Sequence, residues 1–182
     1  MKLFDTFPYI ENDAIVLKQM EESDAPALLL MAQNEKVYRY LPTFLIEQKY
    51  DDKREVICHC NTDEFESKNS ILLGIYTKEN GTQFCGIAEI YHYDPNSSKV
   101  TIGYRLTERF WGKGIATQVV SLLIQYLFTE TEIEVIVASH IADNPASRKV
   151  LDKNGFTKIA SYVEEDWGYK EKSLVDRWSL TK

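Results

Sequence analysis

The sequence predicts a mixed α/β domain in which one mixed sheet, containing an antiparallel meander, is covered by helices. Three observations carry that expectation. Residues 70–106 read as three strands separated by tight turns. At Ile115 the apolar period lengthens from two residues to 3.6. The helix so marked leads into a further buried strand at 133–139, which makes the link between residues 99–106 and 133–139 a helical crossover.

Taken in order, residues 14–17 read as a short first strand. Ser23, Asp24, Ala25 and Pro26 look like a helix start, a polar cap with proline in the first turn. The apolar stretch 27–32 continues that helix, and Tyr38, Arg39, Tyr40, Leu41 and Pro42 end it. Residues 51–66 read as a second helix with Val56, Ile57, Cys60 and Phe65 on its buried side. Strands at 70–77 and 83–93 are joined by the turn Glu79-Asn80-Gly81-Thr82, and Asp94 to Ser98 turns the chain into a strand at 99–106. A third helix places Ile115, Ala116, Val119, Val120, Leu122, Leu123, Tyr126 and Leu127 on one side. Asn144 and Pro145 open a short fourth helix as cap and first helical residue, and Asn154-Gly155 stops it. Residues 156–163 and 174–180 supply two last strands around a turn at Asp166-Trp167-Gly168. With no internal repeat and no linker-like segment, residues 1–182 are expected to form one domain.

Composition narrows the function. The chain is 44% hydrophobic and 27% charged, ordinary for a soluble globular protein with one well-buried core. A net charge of -7 argues against nucleic acid as the main partner, since a phosphate backbone selects for a basic surface. An acidic surface suits an amine-bearing substrate, and is also common among soluble proteins. No apolar run is long enough to span a bilayer and residues 1–13 lack a signal-like apolar centre, so no membrane contact is expected and the cytoplasm is the expected compartment. Three cysteines leave one unpaired, which fits a reducing environment. Cys58-His59-Cys60 is the one metal-like cluster, but Cys85, His92 and His140 are scattered singly; the cysteines read as structural and no metal is expected.

Residues 108–117, ERFWGKGIAT, pose the chemical question. A P-loop needs glycine where Thr107 stands and Ser or Thr where Gly114 stands, and a dinucleotide fingerprint needs a third glycine where Thr117 stands. What remains is a loop feeding a helix that begins near Ile115. Its first amides are unsatisfied donors at the positive end of the helix dipole, a site that favours phosphate or pyrophosphate. Gly112 and Gly114 remove side chains that would block an anion, and Arg109 and Lys113 add positive charge. A plain glycine-rich helix cap is the alternative reading.

Arg109-x-x-Gly112-x-Gly114, preceded by Ile102-Gly103-Tyr104-Arg105-Leu106 and followed by Ala116-Thr117, resembles the acyl-CoA pyrophosphate loop of the GNAT N-acetyltransferases. Residues 142–156, ADNPASRKVLDKNGF, look like a second segment of that superfamily, and Ser147, Trp167-Gly168 and Asp176 make the chain most similar to its RimJ/RimL branch. The resemblance implies the GNAT fold, a central mixed sheet of about seven strands whose central parallel strands splay apart, flanked by four or so helices. It implies acetyl-CoA as cofactor, an amine-bearing acceptor that is a protein N-terminus or a small molecule, and direct attack of the amine on the thioester. Relatives in the family are often dimers, so a homodimer is within what it implies.

By the same resemblance, the backbone of Tyr104, Arg105 and Leu106 would bond the pantetheine arm. Arg109, Phe110, Trp111, Gly112, Lys113, Gly114, Ile115, Ala116 and Thr117 would hold the pyrophosphate, with Asn144, Ser147 and Lys153 completing the cofactor site. Many members have a tyrosine acid at the position matching Leu151, which has no proton to give; Ser147 is the expected replacement, with Asn144 beside it as a ligand or simply as the helix cap. Thr101 stands where the branch carries a glutamate base, which leaves Glu89 as first candidate, followed by His92 and Tyr93, although Glu89 also reads as a surface glutamate. Arg39, Tyr40 and Tyr93 are expected to contact substrate, with Tyr38 and Phe44 as further wall residues; core packing is the alternative for the tyrosines. Glu165 and Asp166 could draw in a cationic amine or be merely solvated. The departures at 101 and 151 keep open a second function, a catalytically silent acyl-CoA-binding module.

Overall fold

The computed structural model describes residues 2–79 and 81–182; Asn80 of the expected 79–82 turn lies outside the described residues. Eight strands form one sheet: β1 (Ile10–Glu11), β2 (Ile15–Lys18), β3 (Ser70–Thr77), β4 (Gln83–Asp94), β5 (Lys99–Leu106), β6 (Val135–Ile141), β7 (Thr157–Glu165) and β8 (Ser173–Thr181). The helices are α1 (Ala25–Ala32), α2 (Glu35–Tyr38), α3 (Ile46–Lys49), α4 (Lys53–Asn61), α5 (Asp63–Glu66), α6 (Ile115–Glu130) and α7 (Pro145–Lys153). The spatial order is β1-β2-β3-β4-β5-β6-β8-β7, and every neighbouring pair is antiparallel except β5 and β6, which the α6 crossover joins in parallel. The expected mixed α/β sheet is therefore present, with β1 as an eighth strand that its two residues were too short to announce.

Strand alternation divides the core into two layers. Ile71, Leu73 and Ile75 of β3 pack with Val119, Val120, Leu123 and Leu127 of α6 on one face, while Leu72 and Tyr76 pack with Leu28, Met31, Val56, Ile57 and Cys60 of α1 and α4 on the other. The helices before β3 are more broken than their sequence suggests. α1 stops at Ala32 because Asn34 starts a new helix, its side chain accepting the Lys36 amide, and the expected helix at 51–66 breaks at Thr62 into α4 and α5. Cys60 is buried and Cys58 exposed, as adjacent faces of a helix require.

Candidate active site

The parallel pair is paired only at its start. Lys99, Val100 and Thr101 face Val135, Ile136 and Val137; beyond them β5 runs on to Leu106 and β6 to Ile141 without a shared ladder. Each keeps its other partner, β5 holding β4 as far as Gly86–Leu106 and β6 holding β8 to the end, so the sheet stays intact on both sides while a wedge opens between the two strands. This is the expected splay. Thr101, where the branch carries an acid, is the last rung before the wedge.

The 107–117 loop forms one end of that wedge. Gly112 and Gly114 have φ of 72° and 76°, the left-handed region that a side chain strains. A Cβ at either would meet no protein atom within 4 Å, so it would project into the open mouth of the loop. Gly114 caps α6 without a side-chain bond, and among the described residues no main-chain acceptor takes the amides of residues 112–117. Arg109 and Lys113 lie over the Phe110 ring, at 4.6 and 5.3 Å, neither paired with a described carboxylate. Free amides, a dipole end and two unpaired cations fit a diphosphate, which is the group that coenzyme A would bring here.

Several residues of the loop do other work. Phe110 and Ile115 are buried in the α6-side core, so their side chains anchor the loop and do not face a ligand. The half-exposed Trp111 donates its indole N–H to the Leu106 carbonyl at 2.8 Å, which removes that carbonyl from the main-chain acceptors offered along β5. Lys153 is exposed in the last turn of α7; beside it Asn154, absent from the sequence-based set, donates to the Thr117 carbonyl at 3.2 Å and ties α7 to the start of α6.

Three polar side chains meet across the wedge on the α7 side. The Asn144 side chain accepts the Ser147 amide at 3.2 Å and donates to Ser147 Oγ at 3.1 Å, so the helix cap also orients the serine. From β5, the Tyr104 hydroxyl reaches Ser147 Oγ at 3.3 Å. Burial, the larger influence, raises the Tyr104 hydroxyl above its ordinary pKa and the Ser147 contact offsets part of the rise. Leu151, one turn along α7, is core.

The opposite face carries charge. Arg105 points away from Ser147 and is 3% exposed, its guanidinium bound to Glu47 through Nε and, at 2.7 Å, through Nη2, and to Glu89 at 3.0 Å through Nη1. Tyr38 donates to Glu47 at 3.1 Å. Burial opposes the Arg105 charge, but Glu47 and Glu89 outweigh it and hold the guanidinium protonated. Burial also pushes the Glu89 carboxyl above its usual range, with Arg105 restraining the rise. Tyr91 lies beside them, its ring 3.6 Å from where a Gly103 Cβ would stand, and its hydroxyl is raised by burial and by the charges of Glu89 and Glu165. Glu165 is taken up by Arg177 at 2.6 Å and by the Trp167 indole at 2.9 Å, while exposed Asp166 accepts the Gly168 amide.

Here the sequence-based set needs correction. Arg39, expected to contact substrate, is exposed over the Tyr40 ring at 5.1 Å, and the arginine that is buried and met by carboxylates is Arg105. Tyr93 does not join the site. A bulge after Tyr91 carries it to the closed end of the wedge, where its hydroxyl donates to Glu132 at 2.6 Å and its ring packs on Phe4. His92 is exposed in that bulge, against Tyr91. Glu47 was missed because α3 is one turn long, although an inward-facing arginine at 105 implies a buried carboxylate somewhere.

Two loops close over this charged face. Thr43 donates its amide to the Trp167 carbonyl at 2.8 Å, and the Tyr169 hydroxyl donates to the Leu41 carbonyl at 2.7 Å. Two hollows lie beside other residues, one of about 670 Å³ between α1 and residues 107–109 and one of about 310 Å³ beside residues 7–9, and neither holds Ser147, Tyr104, Glu89 or Arg105.

Comparison with known proteins agrees with this geometry. The uncharacterized N-acetyltransferase YoaA of Bacillus subtilis is 27% identical over 154 residues, 84% of each chain, and the putative ribosomal N-acetyltransferase YdaF of the same organism is 27% identical over 147 residues, 80% of this chain and 79% of that one. In fold, the chain matches RimL, a ribosomal L7/L12 α-N-protein acetyltransferase solved with coenzyme A, at a TM-score of 0.80 and 20% identity over 96% of this chain and 98% of that one. The microcin C7 self-immunity acetyltransferase MccE, solved with acetyl-CoA and AMP, gives 0.77 at 24% identity over 94% of both. Of these, YdaF and RimL carry names that refer to ribosomal acetylation, and MccE was solved with acetyl-CoA. Residues 14–157 match the family model described as acetyltransferase (GNAT) domain, and the chain belongs to that family.

Proposed function

We propose that this protein is an N-acetyltransferase that moves the acetyl group of acetyl-CoA to a primary amine, on a protein N-terminus or a small molecule, by direct attack on the thioester. The observation that carries this reading is the wedge between β5 and β6, with a diphosphate-ready loop at one end, Ser147 and Asn144 on one lip and Glu89 on the other face. The amides of residues 112–117 with Arg109 and Lys113 hold the pyrophosphate, and the main chain of β5 at Tyr104, on the edge turned away from β4, bonds the pantetheine arm as an added strand would. Ser147 faces the departing sulfur. Glu89, whose carboxyl burial raises above its ordinary pKa while Arg105 restrains the rise, takes the amine proton directly or through water. Arg105 and Glu47 hold Glu89 in place, and Arg39, Tyr40 and Phe44 line the entrance through which the amine arrives.

Three free thiols suit a reducing compartment, and we place the protein in the cytoplasm. No helix of the described residues is long and apolar enough to cross a membrane. A homodimer is proposed from the habit of the family alone.

One observation favours the second reading, a silent acyl-CoA-binding module: Glu89 is already bound to Arg105. Thiol release from acetyl-CoA, followed across a panel of N-terminal peptides and small amines, separates the two. Release with at least one amine, reduced about a hundredfold in Ser147→Ala with coenzyme A affinity kept, is the expected result. Tight coenzyme binding with no release from any amine would sink the enzyme.

A further inference from the structure

We infer that the Tyr104 hydroxyl, acting through Ser147, is the source of the proton taken by the departing thiolate, so that β5 supplies the acid group of the site. The inference rests on the acetyltransfer reading.

Hydrogen bonding around Ser147 leads to it. A serine hydroxyl has two acceptor positions and one hydrogen. Asn144 Oδ1 is committed to the Ser147 amide, which fixes the side-chain amide so that Nδ2 must donate to Ser147 Oγ. Tyr104 takes the second position, at 3.3 Å. Both acceptor positions are then filled, and the serine's own hydrogen has no acceptor among the described residues. If the serine donates to Tyr104 instead, the spare hydrogen sits on the phenol. In either arrangement the pair carries one proton more than its internal bonds consume. At 3.3 Å the contact is long for two hydroxyls, as catalytic hydrogen bonds often are before a ligand tightens them.

Placement says where that proton goes. Tyr104 lies on β5 past Thr101, where β6 has parted from it, and Ser147 lies in the first turn of α7, just after β6. The two hydroxyls therefore bridge the open part of the wedge, where the thioester must sit if the loop at 112–117 holds its diphosphate. Among the described residues Tyr104 has no other side-chain hydrogen bond, and Ser147 bonds only Asn144 and Tyr104 through its side chain.

Acidity says why a serine alone is insufficient. A thiol of the cysteine type has a pKa of about 8.5 and a phenol about 10, so a phenol can replace the proton at modest cost. An aliphatic hydroxyl is a far weaker acid, closer to water at about 15.7, and leaving it as alkoxide would defeat the transfer. Burial keeps the phenol protonated, hence loaded, at neutral pH.

The step balances without a further reactant. The amine nitrogen bonds the acetyl carbon and gives its proton to the base, and the C–S bond breaks. Sulfur takes the Ser147 hydrogen, Ser147 takes that of Tyr104, and the proton held by the base returns through solvent to the phenolate, which leaves both groups as they began. Tyr104 is thus a positioning residue that acts through Ser147.

The test uses Tyr104→Phe, which keeps the ring and its packing, together with Ser147→Ala and the double variant. Free coenzyme A is bound to each, and its thiol is titrated by the ultraviolet absorbance of the thiolate. The expected result is a bound thiol pKa about one unit below that of the free coenzyme in the parent, returned by the same amount in both single variants and no further in the double, with coenzyme affinity within about twofold throughout. In turnover, kcat falls about a hundredfold in Tyr104→Phe with KM unchanged. A thiol pKa in Tyr104→Phe equal to the parent's overturns the inference, as does a kcat loss matched by an equal loss of coenzyme affinity, the mark of a structural role. If no amine is acetylated, the acetyltransfer reading fails on that result, and the titration still decides the relay.

Discussion

At the scale of single residues, the two faces of the wedge solve different problems with neighbouring positions of β5. Tyr104 points to α7 and offers a proton; Arg105 points to α3 and holds two carboxylates. The period of two in a strand puts these opposite chemistries side by side. Arg105 is the costlier neighbour, because a buried guanidinium must be met by charge. Glu47→Gln leaves Arg105 with only Glu89, and we expect a loss of about 3 kcal/mol in chemical denaturation, with the slope of the transition unchanged. A loss below about 0.5 kcal/mol would show that the pair is replaceable by water. The phosphate loop gives a second residue-scale expectation. Gly114→Ala puts a methyl group at φ of 76° into the mouth of the loop, and coenzyme A affinity measured by calorimetry is expected to fall at least about tenfold, about 1.4 kcal/mol, because the methyl stands where the diphosphate would sit. Unchanged affinity would mean that the diphosphate binds elsewhere.

Elements matter through where they stop pairing. β5 and β6 separate after three rungs, but β5 stays fixed to β4 right up to Leu106. At that last rung Gly86 sits so close to β5 that a Cβ would overlap the Arg105 carbonyl, where main-chain atoms cannot give way. Gly86→Ala is therefore expected to push the open end of β5 out of register, lowering stability by about 1–3 kcal/mol and coenzyme affinity with it. Loss of stability with affinity intact would argue that the position of β5 does not shape the cofactor channel. The contact between residues 39–45 and 166–169 matters in the same way. Gly168, at φ 83°, packs so tightly on Thr43 and Phe44 that alanine would separate the two loops. In Gly168→Ala the KM for the amine should rise severalfold while that for acetyl-CoA holds, because the strain falls on the acceptor side alone. An equal change in both constants would place the loops over the cofactor as well.

For the whole molecule, what could be read from the chain and what could not follows from the range of the interactions. β3, β5 and the start of α6 were legible to the residue, because strand alternation, turn residues and a glycine-ended loop are local signals. The anion-ready loop was legible for the same reason. Arg105–Glu47, Tyr104–Ser147 and the bulge that carries Tyr93 away from the site were not, since each depends on pairing across 58 or 43 residues of sequence, or on a one-residue shift of facing in β4. The same long-range pairing sets how the fold responds to acid. Asp176 on β8 is 4% exposed, and burial alone would raise its carboxyl. The bonded Lys158 ammonium on β7, followed by the Tyr162 amide, outweighs burial and leaves the pKa below its ordinary value. A carboxylate lowered on folding adds stability that is fully present above its unfolded pKa of about 3.9 and is lost as pH falls through the folded value. Thermal midpoints measured from pH 7 down to pH 3 should accordingly drop steeply below about pH 4 in the parent. Asp176→Asn should start lower at pH 7, by about 1.5–3 kcal/mol for one charged hydrogen-bonded group, and show a shallower acid limb because the titrating carboxyl is gone. Parallel acid limbs in the two proteins would mean that other carboxylates set the acid stability and that the β7–β8 pair contributes by packing alone.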